Sequence, residues 1–161
     1  MTGTPEPSQP VVRLASHEAD RAAAFAVRHT VFVVEQGVPV ELERDERDAD
    51  ADHFVASVDG RAIGAVRLVV EPAGFEGVPA EHGQVGHLGR LAVLAEARGS
   101  GLGAGLLSAV EDRAAKRGLR LVYLGAQTHA VGFYEQLGYH AYGAEFDDAG
   151  LPHRHMYRLL S

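Results

Sequence analysis

The chain has 161 residues, 46% apolar and 23% charged, a size and balance that fit one soluble domain of about 17.2 kDa with a sizeable core. It has no Cys, which excludes disulfides, Cys-ligated zinc and a Cys acyl-enzyme. A net charge of −7, with basic residues that are almost all Arg, argues against nucleic acid as a partner and favours a cationic one such as an amine.

Residues 1–10 are rich in Pro, Ser and Thr and lack the basic-then-apolar pattern of a signal peptide. They read as a disordered leader, with a single domain over residues 11–161. No apolar run is long enough to span a membrane, and the expected compartment is the cytoplasm. Val11 to Ala15 reads as a strand. Ser16 is placed to cap an Ala-rich helix from Ala19 to about Val34, which Gly37-Val38-Pro39 ends. Glu41 to Asp52 is acidic, has no apolar period and predicts a solvated loop.

His53 to Val58 and Arg61 to Glu71 alternate as strands around Asp59-Gly60, a strong hairpin signal. Pro72 to Gly86 reads as a surface loop and His87 to Leu94 as a central strand. A helix from Ser100 to about Arg117 carries Leu102, Leu106, Leu107, Val110 and Ala114 on one face and stops at Gly118. Leu119 to Gly125 is an apolar strand. Ala130 to Leu137 is a short helix stopped by Gly138. Tyr139 to Phe146 and His155 to Leu160 close the chain around a turn at Asp147-Asp148-Ala149-Gly150. A hairpin-rich first half and an alternating second half imply an α/β (α+β) fold: a mixed, mostly antiparallel sheet of about seven strands flanked by helices.

The stretch Arg98-Gly99-Ser100-Gly101-Leu102-Gly103-Ala104-Gly105 follows the strand end Leu91-Ala92-Val93 and opens a helix. Glycines there allow close backbone approach to a ligand, and the helix start presents N–H groups and a positive dipole end suited to pyrophosphate. A Walker loop needs Lys-Ser/Thr after its last glycine, and the one Lys of this chain is Lys116. The spacing also departs from a dinucleotide fingerprint.

What remains, Arg98-x-x-Gly101-x-Gly103, resembles the acyl-CoA pyrophosphate loop of the GNAT superfamily of N-acetyltransferases. Ala126-Gln127-x-x-Ala130-x-x-Phe133-Tyr134-x-x-Leu137-Gly138-Tyr139 resembles a second region of that superfamily. Arg28-x-x-Val31-Phe32-Val33-x-Glu35-Gln36-x-Val38-Pro39, with Asp45-x-x-Asp48, His53 and the late run Gly143 to Met156, is similar to the ElaA-like subgroup. The resemblance spans roughly residues 13–160. The Arg-x-x-Val-Phe element is also similar to acyl-homoserine-lactone synthases, but an acidic chain offers no basic patch for an acidic carrier protein.

The resemblance implies acetyl-CoA as cosubstrate and direct transfer to a primary amine of a small molecule or peptide, with a non-catalytic acyl-CoA-binding module as the alternative. It implies that Leu91, Ala92 and Val93 offer backbone groups to the pantetheine arm and that Arg98, Gly99, Ser100, Gly101, Leu102, Gly103 and Ala104 hold the pyrophosphate. It places Gln127, Phe133 and Tyr134 at the cofactor. Phe133 by itself reads as a core aromatic; for Tyr134 the resemblance implies a phenol near the cofactor sulfur, placed to protonate the departing thiolate. An acceptor amine must lose a proton, and Glu35, His87 and His53 are the candidate bases, Glu35 first. Arg28, Glu35 and His53 are candidate acceptor contacts, and Arg28 and Arg90 suit an acidic group on it. The alternative for Arg28 is a salt bridge to the acidic loop. No metal is expected: Asp45, Asp48, Asp50 and Asp52 lack a calcium-loop pattern, and His153 and His155, which share a strand face, lack zinc spacing. A homodimer through the closing strands completes the expectations.

Overall fold

The computed structural model describes residues 9–160. The expected leader, residues 1–10, therefore lies outside the described residues except for its last two. Among the described residues, seven strands form one sheet in the order β1-β2-β3-β4-β5-β7-β6, with β1 Val11–Leu14, β2 Asp52–Val58, β3 Arg61–Glu71, β4 Val85–Val93, β5 Leu121–Gln127, β6 His140–Asp148 and β7 Leu151–Leu159. Every neighbouring pair is antiparallel except β4 with β5. This is the mixed, mostly antiparallel sheet expected from the sequence. Two hairpins close on turns whose central residues both have positive φ, Asp59-Gly60 and Ala149-Gly150, the twist that joins antiparallel strands without splaying them.

α3, Leu102–Lys116, and α4, Val131–Gln136, cover one face of the sheet. Leu102, Leu106, Leu107, Val110 and Ala114 pack there against Phe54, Val66, Leu68, Leu88, Val122 and Leu124, as the helical period predicts. α1, Glu18–Arg28, covers part of the opposite face, where Ala24, Val27 and Val31 meet Val55, Ala65 and Ala92. Farther along that face Val78, Val85, Leu121 and Tyr123 form a third cluster under Phe75.

The structure corrects several expectations. Ser16 is not the helix cap; His17 occupies that position and its side chain makes no cap hydrogen bond. Past Arg28 the helix widens into a π-helical stretch over His29–Glu35, with the Gln36 N–H bonding back to the Val31 carbonyl at 3.2 Å. The acidic stretch is not a featureless loop. It holds α2, Val40–Glu43, and a 3₁₀ turn over Glu46–Ala49 closed by a capping box between Asp45 and Asp48.

The central strand carries a β-bulge. Residues Val85, His87 and Gly89 of β4 pair with Glu71, Val69 and Arg67, while Ala92 pairs with Ala65, so β4 gains one residue between Gly89 and Ala92. Arg90 sits in that bulge at φ 54°. The inserted residue reverses the alternation: His87 and Gly89 face α1 before it, and Ala92 does so after it. Leu91 and Val93 consequently turn toward α3.

Candidate active site

β4 and β5 pair at Gly86 with Val122 and at His87 with Tyr123. Beyond Leu88 and Leu124 the two parallel strands part, and a cleft of about 1200 Å³ fills the gap. Its walls come from both faces of the sheet: Val31, Phe32, Glu35 and Gln36 on one side, and Gly101, Leu102, Gly103, Phe133 and Tyr134 on the other.

The glycine-rich turn forms one rim. Gly99 and Gly101 have φ 82° and 83°, a backbone shape that an L side chain resists, and Gly101 is the N-cap of α3. The first turn of that helix carries N–H groups without intrahelical partners, and its residues Leu102 and Gly103 line the cleft. Gly103 faces the ring of Phe133; a Cβ built there would lie 3.2 Å from Cζ. Leu91, Val93, Arg98, Gly99, Gly101, Leu102 and Gly103 all line the cleft. Ala92 instead points into the core at 1% exposure, and the Ser100 hydroxyl donates to the Ala97 carbonyl at 2.5 Å. The side chains of Ala92, Ser100 and Ala104 do not line the cleft, so a contact from these residues would come from the main chain.

Phe133 is not a core aromatic. It is 39% exposed and stands in the cleft wall, edge-on to Tyr134 at 5.1 Å between centroids. Tyr134 is buried, and desolvation pushes its hydroxyl up to about 12, so it is a protonated phenol at neutral pH.

Two straps cross the mouth. The Arg98 guanidinium donates to Glu35 at 2.8 Å and to the Val93 carbonyl at 3.0 Å, and Gln127 donates to Gln36 at 2.9 Å. Glu35 therefore lines the cleft with its carboxylate bonded to Arg98. His87 lines the cleft between Phe75 and Tyr123, with ring centroids 5.0 and 5.2 Å away. Burial, then the positive charges of Arg67, Arg47 and Arg90, lower its pKa to about 4. A ring so hard to protonate is a weak proton acceptor.

Arg28 and His53 do not reach the cleft. Arg28 is 1% exposed, and its guanidinium is spent on Glu43 at 2.6 Å, on the Glu43 carbonyl and, in bidentate fashion, on Asp48 at 2.8 and 3.1 Å. The salt-bridge alternative is the one the structure shows. His53 packs against Phe25, and its Nε2 lies 2.8 Å from the Asp48 carbonyl. Arg67 joins the cluster through Asp45 and Asp48, each at 2.7 Å, and Arg90 through Asp45 at 3.3 Å. Burial alone would raise the Asp48 pKa; hydrogen bonds from Arg28 and Arg67 outweigh it and hold the carboxyl well below the usual carboxylate range. Three guanidiniums and three carboxylates thus balance beneath the bulge, and Arg90 meets the cleft as a member of that cluster.

The sequence reading missed a row of rings on the α1 side: Phe75, His87, Tyr123, His155 and Phe146 follow one another across the connection before β4, then β4, β5, β7 and β6. Period-two spacing in β5 and β7 is the signal that places Tyr123 with Gly125, and His153 with His155 and Tyr157.

A sheet parted between parallel strands, a long helix that starts on glycines at one rim and a buried phenol on the wall surround one cleft. The family model for the acetyltransferase (GNAT) domain matches residues 14–160, and the chain belongs to that family; it is an N-acetyltransferase. An uncharacterized N-acetyltransferase of Bacillus subtilis, YjcF, is 37% identical over 144 residues, covering 89% of this chain and 95% of the relative. The crystal structure of a candidate N-acetyltransferase from Lactobacillus plantarum superposes with a TM-score of 0.81 at 32% identity, over 94% of this chain and 99% of that one. Escherichia coli ElaA superposes with a TM-score of 0.72 at 26% identity, over 94% and 99% of the two chains, in keeping with the ElaA-like pattern of the sequence.

Proposed function

We propose that the protein transfers the acetyl group of acetyl-CoA directly to the primary amine of a small molecule or peptide. The observation that carries this reading is the parting of β4 from β5. Past the bulge, the β4 edge over Leu91–Val93 faces the cleft with main-chain groups that an extended pantetheine arm can pair with, as an added strand would. The rim at Arg98–Ala104 suits the pyrophosphate. A Leu91 N–H directed at the thioester carbonyl would stabilise the oxyanion that forms on attack.

Acetyl-CoA supplies an activated acyl group when bound. The cleft holds amine and thioester together, which converts a bimolecular step into an oriented one. Tyr134 donates its proton to the thiolate as it leaves. Its apolar surroundings keep that proton in place until the sulfur needs it. The cysteine-free chain offers no thiol for an acyl-enzyme, which favours direct attack. A cytoplasmic setting and a homodimer through the exposed closing strand β6 belong to the same proposal.

The test is thiol release from acetyl-CoA with a peptide N-terminus, an aminosugar, a polyamine and an aminoglycoside, with acetyl-CoA binding measured by calorimetry. Amine-dependent release supports the reading. Binding without release on every amine, or no binding, sinks it.

A further inference from the structure

One titratable pair stands in the cleft without a part in the chemistry above. The Tyr123 hydroxyl and His155 Nδ1 lie 2.6 Å apart, and both residues line the cleft. His155 is held flat between two rings of β6, Phe146 at 4.2 Å and 20° and Tyr142 at 5.4 Å and 26°. Tyr123 is braced edge-on by Phe75 at 5.4 Å and by His87 at 5.2 Å. Next along the same face of β5 is Gly125. A Cβ there would lie 3.7 Å from the Tyr123 hydroxyl and 3.1 Å from Phe146, so a glycine keeps open the space beside that hydroxyl.

The three bases that the sequence offers are held differently. Glu35 is bound by Arg98, His53 is buried against Phe25 outside the cleft, and His87 sits beside Arg67, Arg47 and Arg90. His155 has a hydroxyl on Nδ1 and aromatic faces around it.

We propose that Tyr123 and His155 form the relay that removes the proton from the acceptor amine. The inference rests on the acetyl-transfer reading. As the amine lone pair forms the N–C bond, the carbonyl π pair moves onto oxygen and the nitrogen becomes cationic. The nitrogen then gives a proton to the Tyr123 oxygen while the Tyr123 proton passes to His155 Nδ1. Collapse of the adduct breaks the C–S bond, and the thiolate takes the Tyr134 proton. The imidazolium returns its proton to solvent, and Tyr134 is reprotonated from solvent.

The groups that face the pair are Phe75 and Glu76 from the connection before β4, His87 from β4, Tyr142, Phe146 and Asp148 from β6, and His153 from β7. Burial, then the charges of Glu76 and Asp148, push the Tyr123 hydroxyl above its ordinary range, which keeps it a phenol able to pass a proton on.

The experiment is kcat against pH for wild type, His155→Gln and Tyr123→Phe, using whichever amine of the panel above gives the fastest thiol release. Acetyl-CoA affinity by calorimetry reports that each variant is folded. The glutamine keeps an acceptor for the Tyr123 hydroxyl but cannot take up a proton. The expected result is a loss of about 100-fold in kcat in both variants, acetyl-CoA affinity within about twofold of wild type, and disappearance of the rising limb of the wild-type pH profile in His155→Gln. A His155→Gln enzyme that keeps the limb and a rate within about twofold overturns the relay and leaves acetyl transfer standing. A wild type that binds acetyl-CoA and releases thiol with no amine overturns the acetyl-transfer reading, and the relay with it.

Discussion

Glu35 Oε2 and Arg98 Nη2 meet at 2.8 Å across the mouth of the cleft, tying the end of the π-helical stretch to the glycine-rich turn. The pair joins the residue that the sequence offers first as a base to the residue it offers for the pyrophosphate. Both side chains are partly exposed, so the pair contributes at most about 1 kcal/mol to stability. Its consequence lies in binding. Glu35→Gln frees the Arg98 charge for an anionic ligand, and the variant is expected to bind acetyl-CoA as tightly as wild type or up to about fivefold tighter, with kcat within about threefold. Calorimetry and steady-state rates check this. A 100-fold fall in kcat with unchanged affinity would return the role of base to Glu35.

Arg28 predicts the opposite balance, with a large effect on stability and little direct effect on chemistry. Its guanidinium is buried among Glu43 and Asp48, and removing it leaves carboxylates in the core without a counter-charge. Arg28→Ala is expected to lower stability by about 3–5 kcal/mol, read as a fall in the urea midpoint. The cluster also sets an acid limit. The Asp45 and Asp48 pKa values are lowered in the folded protein, so their stabilisation is present above the ordinary Asp range near 3.8 and is lost as the pH falls through their folded values. Arg28→Ala should flatten that acid limb. A variant as stable as wild type would show that the cluster contributes nothing to folding.

Much of this architecture is legible in the sequence, for identifiable reasons. Asp59-Gly60 and the alternation around it locate the β2–β3 hairpin because turn geometry and strand period are local properties. Gly118 and Gly138, at φ 81° and 93°, mark helix ends for the same reason. The bulge at Arg90 is not local. It is an inserted residue relative to β3 that leaves the sequence of β4 looking continuous. The acidic segment reads as solvated because its partners Arg28, Arg67 and Arg90 come from α1, β3 and β4, and no spacing within residues 41–52 announces them. Gly101 and Gly103 are legible because one motif keeps them together, and Tyr134 because a second motif holds it. Tyr123 and His155 meet through the pairing of β5 with β7, 32 positions apart.

His87 makes stability depend on pH in a defined window. Burial and nearby arginines lower its pKa to about 4, below the value near 6.5 expected for an unfolded chain. Between those values the unfolded chain binds the extra proton and the folded protein does not, so stability rises with pH from about 4 to 6.5 and levels off above. The full shift is reduced by solvent at a ring with 29% of its side-chain surface exposed, and the expected contribution is on the order of 2 kcal/mol. Urea midpoints at pH 4.5, 5.5 and 7 measure it. His87→Gln should lose the part of the slope that lies between pH 5 and 6.5, and an unchanged slope would assign it to another histidine.

Tyr134 is the residue whose role in the chemistry is tested most directly. Its hydroxyl is a proton donor held at about 12, in a cleft wall built by α4, with Tyr139 packed on the far side at 5.9 Å. Tyr134→Phe removes one oxygen and keeps the ring, so the packing against Phe133 and Tyr139 survives and acetyl-CoA affinity should stay within about twofold. The departing thiolate then lacks its donor, and kcat is expected to fall by about 100- to 1,000-fold. Because a thiol is far more acidic than an alcohol, the loss depends on what leaves and on when it leaves. If the thiolate departs before it is protonated, the donor matters less, and a fall of under tenfold would show that the phenol orients the thioester rather than protonating it. A pH profile separates these roles. As a donor with a pKa near 12, Tyr134 imposes no alkaline fall on kcat below about pH 10, so any fall there that persists in Tyr134→Phe belongs to a different group.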